Sequence, residues 1–362
     1  MSFVLDRVSY KVGEVATIAD VTLRLEPGSM NVLLGPTLAG KTTLMRLMAG
    51  LDKPTSGKLF ANGKDVTGLP VRERSVAMVY QQFVNYPTLS VYENIASPLR
   101  VRGLPQAEID ARVSRAAKLL RLESMLKRTP AQLSGGQQQR TAIARALVKQ
   151  ADLVLLDEPL ANLDYKLREE LREELPRLFA ETGAILVYAT TEPTEALLLR
   201  GQTATLWQGR VTQVGPTAAS YHEPDNLDAA RVFSDPPLNE LPLTKAGNVA
   251  NLANGRKLPA EGVLTGLGDG SYRLGFRAET VTVGPPRADQ ISFPGTVAVT
   301  EISGSESFVH VDTGLGTWVA MIEGVHAWEP GDPAEVQFDP ARAFVFDAAG
   351  RRVAARGLAA TA

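Results

Sequence analysis

Gly35-Pro36-Thr37-Leu38-Ala39-Gly40-Lys41-Thr42 sets two glycines, a lysine and a hydroxyl at the spacing G-x-x-x-x-G-K-[ST], which is the spacing of a polyphosphate-binding loop. Successive backbone N–H groups of such a loop curl around phosphate oxygens, and the following helix turns its positive end towards them. Gly35 and Gly40 allow a close backbone approach that a Cβ would obstruct. Lys41 is a point charge for the β- and γ-phosphates, the Thr42 hydroxyl is a hard oxygen for Mg²⁺, and Thr43 extends the hydroxyl pair. Further on, the apolar run Leu153-Val154-Leu155-Leu156 ends in Asp157-Glu158. Carboxylates at the C-terminal end of a buried strand face the crevice where open α/β sheets bind ligands. Asp157 is read as holding Mg²⁺ through water, and Glu158 as the general base for an attacking water. Such a pair alone serves as often to cap a helix; the loop upstream selects the chemical reading.

These groups require a scaffold that gathers distant stretches at one sheet edge. The first 230 residues alternate apolar strand-like runs with helical ones, the pattern of an α/β fold with a largely parallel core sheet. Strands are expected at Met30 to Leu34, Met78 to Tyr80, Leu153 to Leu156 and Ala184 to Ala189, with a helix from Thr42 to Ala49. Gln106 to Leu120 carries Ile109, Val113, Ala116, Ala117 and Leu120 on one helical face, which suits a separate helical lobe and equally an ordinary surface helix. Past Phe233 the texture changes. The polar stretch Lys245 to Lys257 reads as irregular, and short β-like segments follow at Tyr272 to Phe276, Thr280 to Val283, Gly295 to Ile302, Ser307 to Val311, Thr317 to Ile322, Ala334 to Phe338 and Phe344 to Phe346. Many short strands with regular turn signals favour a small barrel or sandwich. There is no internal repeat or low-complexity tract.

Composition excludes several classes. At 362 residues the chain is long enough for two domains, and a net charge of −2 implies no bulk attraction to nucleic acid or anionic lipid. The absence of cysteine removes disulfides and thiolate metal sites. Met1 to Arg7 lacks the pattern of a signal peptide. No apolar run approaches the length of a spanning helix, so a transport role would need separate channel-forming subunits.

The two phosphate-handling motifs flank Leu133-Ser134-Gly135-Gly136-Gln137-Gln138-Gln139-Arg140. In this order the three resemble the ATPase subunits of ATP-binding cassette (ABC) importers, in the sugar and polyol branch that carries an appended C-terminal β domain. The resemblance spans nearly the whole chain, most specifically at 30–60 and 131–164 and most loosely in the last third. It implies ATP and Mg²⁺ as ligands. The fold it implies is an α/β P-loop ABC ATPase domain over 1–235, with a helical lobe at about 83–150. A small all-β, OB-like barrel over 236–362, for regulation or dimerisation, would follow. Ser134, Gly135, Gly136 and Gln137 would contact the γ-phosphate held by another subunit, which implies a dimer. Gln81, in Met78-Val79-Tyr80-Gln81-Gln82, matches the residue that senses Mg²⁺ and the γ-phosphate and couples them to a transmembrane partner. The stretch from Asn85 to Leu99 matches the segment leading into the helical lobe. Asn162-Leu163-Asp164 resembles the loop that crosses the dimer interface. Phe276 to Glu279 and Glu301 to Glu306 resemble the barrels weakly. The implied partners are two integral membrane permease subunits, a second ATPase subunit and, indirectly, an extracytoplasmic solute-binding protein. The implied location is peripheral, at the cytoplasmic face of the inner membrane.

Three departures affect mechanism. Where the family usually carries Thr-His-Asp after a strand, this chain reads Thr190-Thr191-Glu192; Thr191 has no imidazole, and His222, His310 and His326 all lie beyond the switch. Leu38 replaces the more usual Gly inside the phosphate loop. The aromatic that stacks on adenine is expected near Val12, leaving Tyr10 as the candidate. The expectation is a heterodimer in which this chain's own site binds ATP and hydrolyses it slowly while Ser134 completes a partner's better-equipped site. The alternatives are a homodimer in which Thr191, Gln81 or water replaces the histidine, a soluble ABC ATPase without a transport role, and a non-catalytic regulatory subunit. The wording of Asn31 to Gly57 and Tyr80 to Arg100 resembles polyol importers, with glycerol the first candidate substrate.

Overall fold

The computed structural model describes residues 1–161, 163–287 and 290–353. Two compact units are present, Met1–Ser220 and Tyr221–Ala362. The first runs β1 (Phe3–Val12), β2 (Val15–Leu25), β3 (Met30–Leu34), α1 (Lys41–Ala49), β4 (Ser56–Ala61), β5 (Lys64–Asp65), β6 (Val76–Val79), α2 (Val91–Val101), α3 (Gln106–Leu119), α4 (Gly135–Lys149), β7 (Leu153–Asp157), α5 (Tyr165–Thr182), β8 (Ile185–Thr190), α6 (Pro193–Leu199), β9 (Gln202–Trp207) and β10 (Arg210–Pro216).

A six-stranded sheet in the order β10-β9-β3-β8-β7-β6 forms its centre, parallel except for β10 against β9. β7 and β8 are buried along their whole length, as expected for parallel strands covered on both faces. A four-stranded antiparallel sheet, β2-β1-β4-β5, lies alongside. Leu44, Met45, Leu47 and Met48 of α1 share one core with Leu5 and Ile18 of that sheet and Leu33 and Leu155 of the parallel one. Helix α1 is thereby fixed between two sheets, and the loop that opens it inherits that rigidity. Helices α2, α3 and α4 pack on one another as a lobe, with Ile109, Val113, Ala116 and Ala117 of α3 facing inward. The fully buried Asn94 organises the approach to this lobe. Its Oδ1 accepts from Tyr86 N–H at 2.7 Å, and its Nδ2 donates to the carbonyls of Tyr86, Leu89 and Ser90 at 3.0–3.1 Å.

Helix α7 (Thr217–His222) spans the division. The second unit continues with α8 (Leu227–Val232), β11 (Asn239–Ala246), β12 (Val249–Leu252), β13 (Lys257–Pro259), β14 (Gly270–Phe276), β15 (Val281–Val283), β16 (Ile291–Ile302), β17 (Glu306–Asp312), β18 (Thr317–Glu323), β19 (Pro333–Phe338) and β20 (Phe344–Asp347). Two antiparallel sheets, β13-β12-β11-β14-β20 and β15-β19-β16-β17-β18, curl around one core as a small, nearly closed β-barrel. Phe276 stacks on Phe338 with centroids 4.0 Å apart, and Trp318 meets Phe276 and Phe293 edge-on at 5.0 and 4.9 Å. Trp318 is 1% exposed and its indole N–H reaches the Glu240 carbonyl at 3.3 Å. Trp318→Ala is expected to destabilise this unit by roughly 3–5 kcal/mol, because the cavity cannot be refilled by flat neighbouring rings. A denaturant titration of the full chain should show that transition move while ATP binding by the first unit persists.

Two expectations need adjustment. Lys245 to Lys257 is not irregular: it holds the end of β11 and the β11–β12 hairpin, with Ala250 and Leu252, like the flanking Leu243 and Leu258, turned inward and the polar residues mostly outward. The buried Lys245 stem leads its ammonium to the Gly247 carbonyl at 2.7 Å. The division also falls before 235, because Ala230 of α8 packs with Leu238 and Phe346 of the second unit.

Candidate functional site

Parallel pairing sets the site's geometry. β8 lies between β3 and β7, with Thr190 opposite Leu34 and Ala189 opposite Asp157. Two further bonds extend these ladders past the strands: Gly35 N–H donates to the Thr190 carbonyl at 3.3 Å, and Glu158 N–H to the Ala189 carbonyl at 3.0 Å. The phosphate loop and the acidic strand end therefore leave one sheet edge side by side.

The loop from Gly35 to Gly40 closes on α1 through Gly40, at φ 102°. A Cβ on Gly40 would sit 2.8 Å from Ile18 Cδ1 and 3.1 Å from the Thr17 carbonyl, so close packing as well as φ demands glycine. Pro36 accepts from Ala39 N–H at 3.1 Å, and Ala39 accepts from Gly209 N–H at 3.0 Å, tying the loop to the β9–β10 turn. Thr37 and Leu38 form its exposed tip, and Thr43 is half-buried in the first turn of α1. That turn leaves N–H groups without intrahelical partners, the requirement for holding an anion.

Leu38 is 94% exposed and holds φ 69°, a left-handed conformation that costs a non-glycine residue about 1–2 kcal/mol. Leu38→Gly should relieve that strain. A net gain of about 0.5–1 kcal/mol in the first unit's unfolding transition is expected after the added entropy of the unfolded chain.

Inside the loop, the 5%-exposed Lys41 donates to the carbonyls of Gly35 at 2.7 Å and Pro36 at 3.1 Å and lies 3.8 Å from Glu158. Burial pushes its pKa below the usual lysine value, against the attraction of Glu158 and Asp157. The Thr42 hydroxyl donates to Asp157 Oδ2 at 2.7 Å. Gln81 Nε2 donates to Glu158 Oε2 at 2.7 Å, drawing in the segment after β6. Burial raises the pKa of Asp157, opposed by Thr42 and Lys41. Burial also raises that of Glu158, opposed by Lys41 and reinforced by Asp157, Glu195 and Glu192. Glu158 stands at φ 45°, a strained conformation of the sort that persists where surrounding structure enforces it.

The Thr42 hydroxyl and the Asp157 carboxylate form an oxygen-bearing pair of the kind Mg²⁺ takes, with the rest of the shell left to water and phosphate, while the Gln81 amide is bonded to Glu158. Among the described residues no cluster of three or more His, Asp or Glu side chains is shaped to hold a metal by itself.

Ser134 stands elsewhere in the first unit, as the N-cap of α4. Its hydroxyl accepts from Gln137 N–H at 3.3 Å while Gln137 Oε1 accepts from Ser134 N–H at 3.0 Å, and Gly135 and Gly136 fill the turn between. Among the described residues no hydrogen bond or ion pair joins this motif to Lys41, Thr42 or Asp157. Gln139, one turn along, donates to the Pro159 carbonyl at 2.6 Å, a link between α4 and the acidic strand end that no motif announced. Asp164 caps α5 by accepting from Leu167 N–H at 3.0 Å. Asn162, in the same expected loop, lies outside the described residues. Tyr10 is half-buried on β1 and packs against the core, while Val12 is 61% exposed. Thr191 is exposed at the end of β8. Four residues on, in α6, lies a buried carboxylate, Glu195, which belongs to none of the sequence motifs.

A phosphate loop set against a strand-end carboxylate pair on a parallel sheet defines an ATP-binding ATPase. The chain belongs to the ABC transporter ATPases: residues 18–161 match the ABC transporter family, and 274–346 match the TOBE domain. The xylose/arabinose import ATP-binding protein XacK of Haloferax volcanii is 38% identical over 92% of this chain and 89% of its own. The trehalose/maltose import ATP-binding protein MalK of Thermococcus litoralis is 35% identical over 92% and 94%. The lactose transport ATP-binding protein LacK of Rhizobium radiobacter is 36% identical over 96% and 97%. Among solved structures, the ATP-binding cassette MJ0796, a dimer in a post-hydrolysis state bound to ADP and Pi, superposes with TM-score 0.55 at 31% identity, covering 59% of this chain and 98% of its own. No helix among the described residues is long and apolar enough to cross a membrane.

Proposed function

We propose that this chain is the ATP-hydrolysing subunit of a sugar or polyol importer, peripheral at the cytoplasmic face of the inner membrane. It powers two separate permease subunits that receive cargo from an extracytoplasmic solute-binding protein. The observation that carries the reading is the convergence of Lys41, Thr42, Asp157, Glu158 and Gln81 at one sheet edge, in a chain that matches, along nearly their whole length, relatives named as import or transport ATP-binding proteins.

In this reading Lys41 exchanges its loop carbonyls for β- and γ-phosphate oxygens, and loop N–H groups hold the remaining charge. Thr42, Asp157 and Gln81 would hold Mg²⁺, which would supply positive charge against the phosphates. Glu158 takes the proton of the attacking water, and Gln81 fixes its carboxylate. Ser134 to Gln137 complete the ATP site of a second ATPase subunit, and Asp164 lies at that interface. The second unit, the TOBE-bearing barrel, serves dimerisation or regulation.

Thr191 leads us to propose further that the second ATPase is non-identical and that this chain's own site is the slower one. The Gln81–Glu158 hydrogen bond favours one other reading, a homodimer in which Gln81 compensates for the missing imidazole. Turnover by the purified chain alone, compared with turnover beside a His-bearing partner, separates them: brisk hydrolysis by the chain alone excludes the slow-site reading. Glycerol is the first substrate to test, by uptake of labelled glycerol, other polyols and sugars into vesicles bearing the assembled complex. No uptake of any of them would exclude the importer assignment.

A further inference from the structure

The end of β8 carries both halves of the ATPase site, since its last two carbonyls receive the N–H groups of Gly35 and Glu158. What fixes that end is a buried carboxylate on the following helix. Glu195 is 4% exposed, and its Oε2 accepts from the Thr190 hydroxyl at 2.7 Å and the Tyr188 hydroxyl at 3.1 Å. Its Oε1 lies 3.5 Å from the Arg172 guanidinium of α5, itself 9% exposed. The Thr190 oxygen in turn accepts from Glu192 N–H at 3.0 Å, which sets the turn carrying Thr191.

A carboxyl oxygen has two acceptor lone pairs, so Glu195 Oε2 can take both hydroxyls at once. Burying a carboxyl group is costly unless it finds partners, and here Oε2 has two hydroxyl donors while Oε1 faces the Arg172 guanidinium. A plain core would have placed an apolar side chain at this position. We infer that Glu195 is a positioning residue for ATP hydrolysis, holding the end of β8 so that Glu158, the phosphate loop and the switch turn keep their spacing. It touches no reacting atom. Its effect passes through Thr190, whose carbonyl faces the phosphate loop and whose hydroxyl faces Glu195.

The test is single-turnover hydrolysis, with the full-length chain in excess over labelled ATP, so that a slow site still gives a rate. ATP affinity is measured separately by equilibrium binding. Glu195→Gln keeps the side chain's size and one acceptor, and should slow ADP formation by about 10²-fold while ATP affinity stays within about two-fold, the mark of a geometric error at the chemical step. Thr190→Val preserves volume and removes the hydroxyl, and should reproduce the loss; Thr190→Ser keeps the hydroxyl, removes a methyl, and should restore most of the rate. A role confined to packing gives the reverse order, with Val tolerated and Ser harmful. That order, an unchanged rate in Glu195→Gln, parallel loss of rate and affinity, or no ADP formed by the unaltered chain would each overturn the inference. The last outcome leaves the slow-site reading intact, so the two fail separately.

Discussion

Replacing Glu158 with Gln is expected to lower ATP turnover by roughly 10²–10⁴-fold, the span that a positioned general base contributes, with little change in ATP affinity. The substitution is nearly isosteric: an amide still meets Gln81, whose Nε2 lies 2.7 Å from Glu158 Oε2, and only proton acceptance is lost. Lys41 and the phosphate loop remain, so the ground state should bind as before. The pH profile supplies an independent check. Burial, with the nearby Asp157, Glu192 and Glu195 charges, moves the Glu158 pKa above the usual carboxylate value, outweighing the Lys41 ammonium at 3.8 Å. The base works ionised, so turnover should fall as pH is lowered through that raised pKa. The acid limb should therefore lie at higher pH than for an exposed glutamate. A steady-state profile of the unaltered chain tests this. Unchanged turnover in Glu158→Gln would remove Glu158 from the reaction.

The larger role of Glu158 over Gln81 follows from what each does. Gln81 contributes one neutral hydrogen bond to a carboxylate, whereas Glu158 would, in the proposed reading, change protonation state during the reaction. Orientation alone is not sufficient to run the chemistry, and neither is a base without orientation. The backbone of Glu158 is held by Ala189 of β8, and its side chain by Gln81 from the segment after β6.

Residues adjacent in sequence were the legible ones. The spacing of Gly35, Gly40 and Lys41 announced a phosphate loop, and the run before Asp157 announced a buried strand; helix α1 and strands β3, β7 and β8 fall within a residue or so of expectation. The Ser134 motif pointed to the ABC family, to which the chain belongs, and the short apolar segments after Tyr272 announced the barrel. The first unit's antiparallel sheet escaped notice, although Val21, Leu23 and Leu25 alternate along β2 with the period of a half-buried strand. The polarity of the Lys245 region hides the period beneath it, since every second position of β11 is buried. Long-range pairings such as Thr42 with Asp157, or Arg172 with Glu195, have no local signature. They arise only when β3, β7, β8 and the helices behind them assemble. For that reason the motif residues could be named in advance and the buried contacts of Glu195 could not.

Thr191→His is the second substitution with a large expected effect, and its sign is opposite: turnover at this chain's own site should rise by about 10²-fold. The estimate is the cost usually paid when one preorganised donor is removed from a transition-state site, applied in reverse. The exposed Thr191 follows directly on Thr190, whose hydroxyl and carbonyl are both committed to fixed partners, so a side chain at 191 starts from an ordered backbone. A threonine hydroxyl stops one bond beyond Cβ. An imidazole reaches farther and carries an N–H that, in the proposed reading, would meet the γ-phosphate. ATP affinity should change little, because Lys41 and the loop N–H groups supply most of the ground-state contacts. If turnover of the isolated chain is already brisk and Thr191→His leaves it unchanged, Gln81 or the threonine itself suffices and the two ATPase sites need not differ. If the substitution accelerates single-turnover hydrolysis by the isolated chain, the asymmetry originates at this one position. A native complex would then draw its fast site from a partner that carries the missing imidazole.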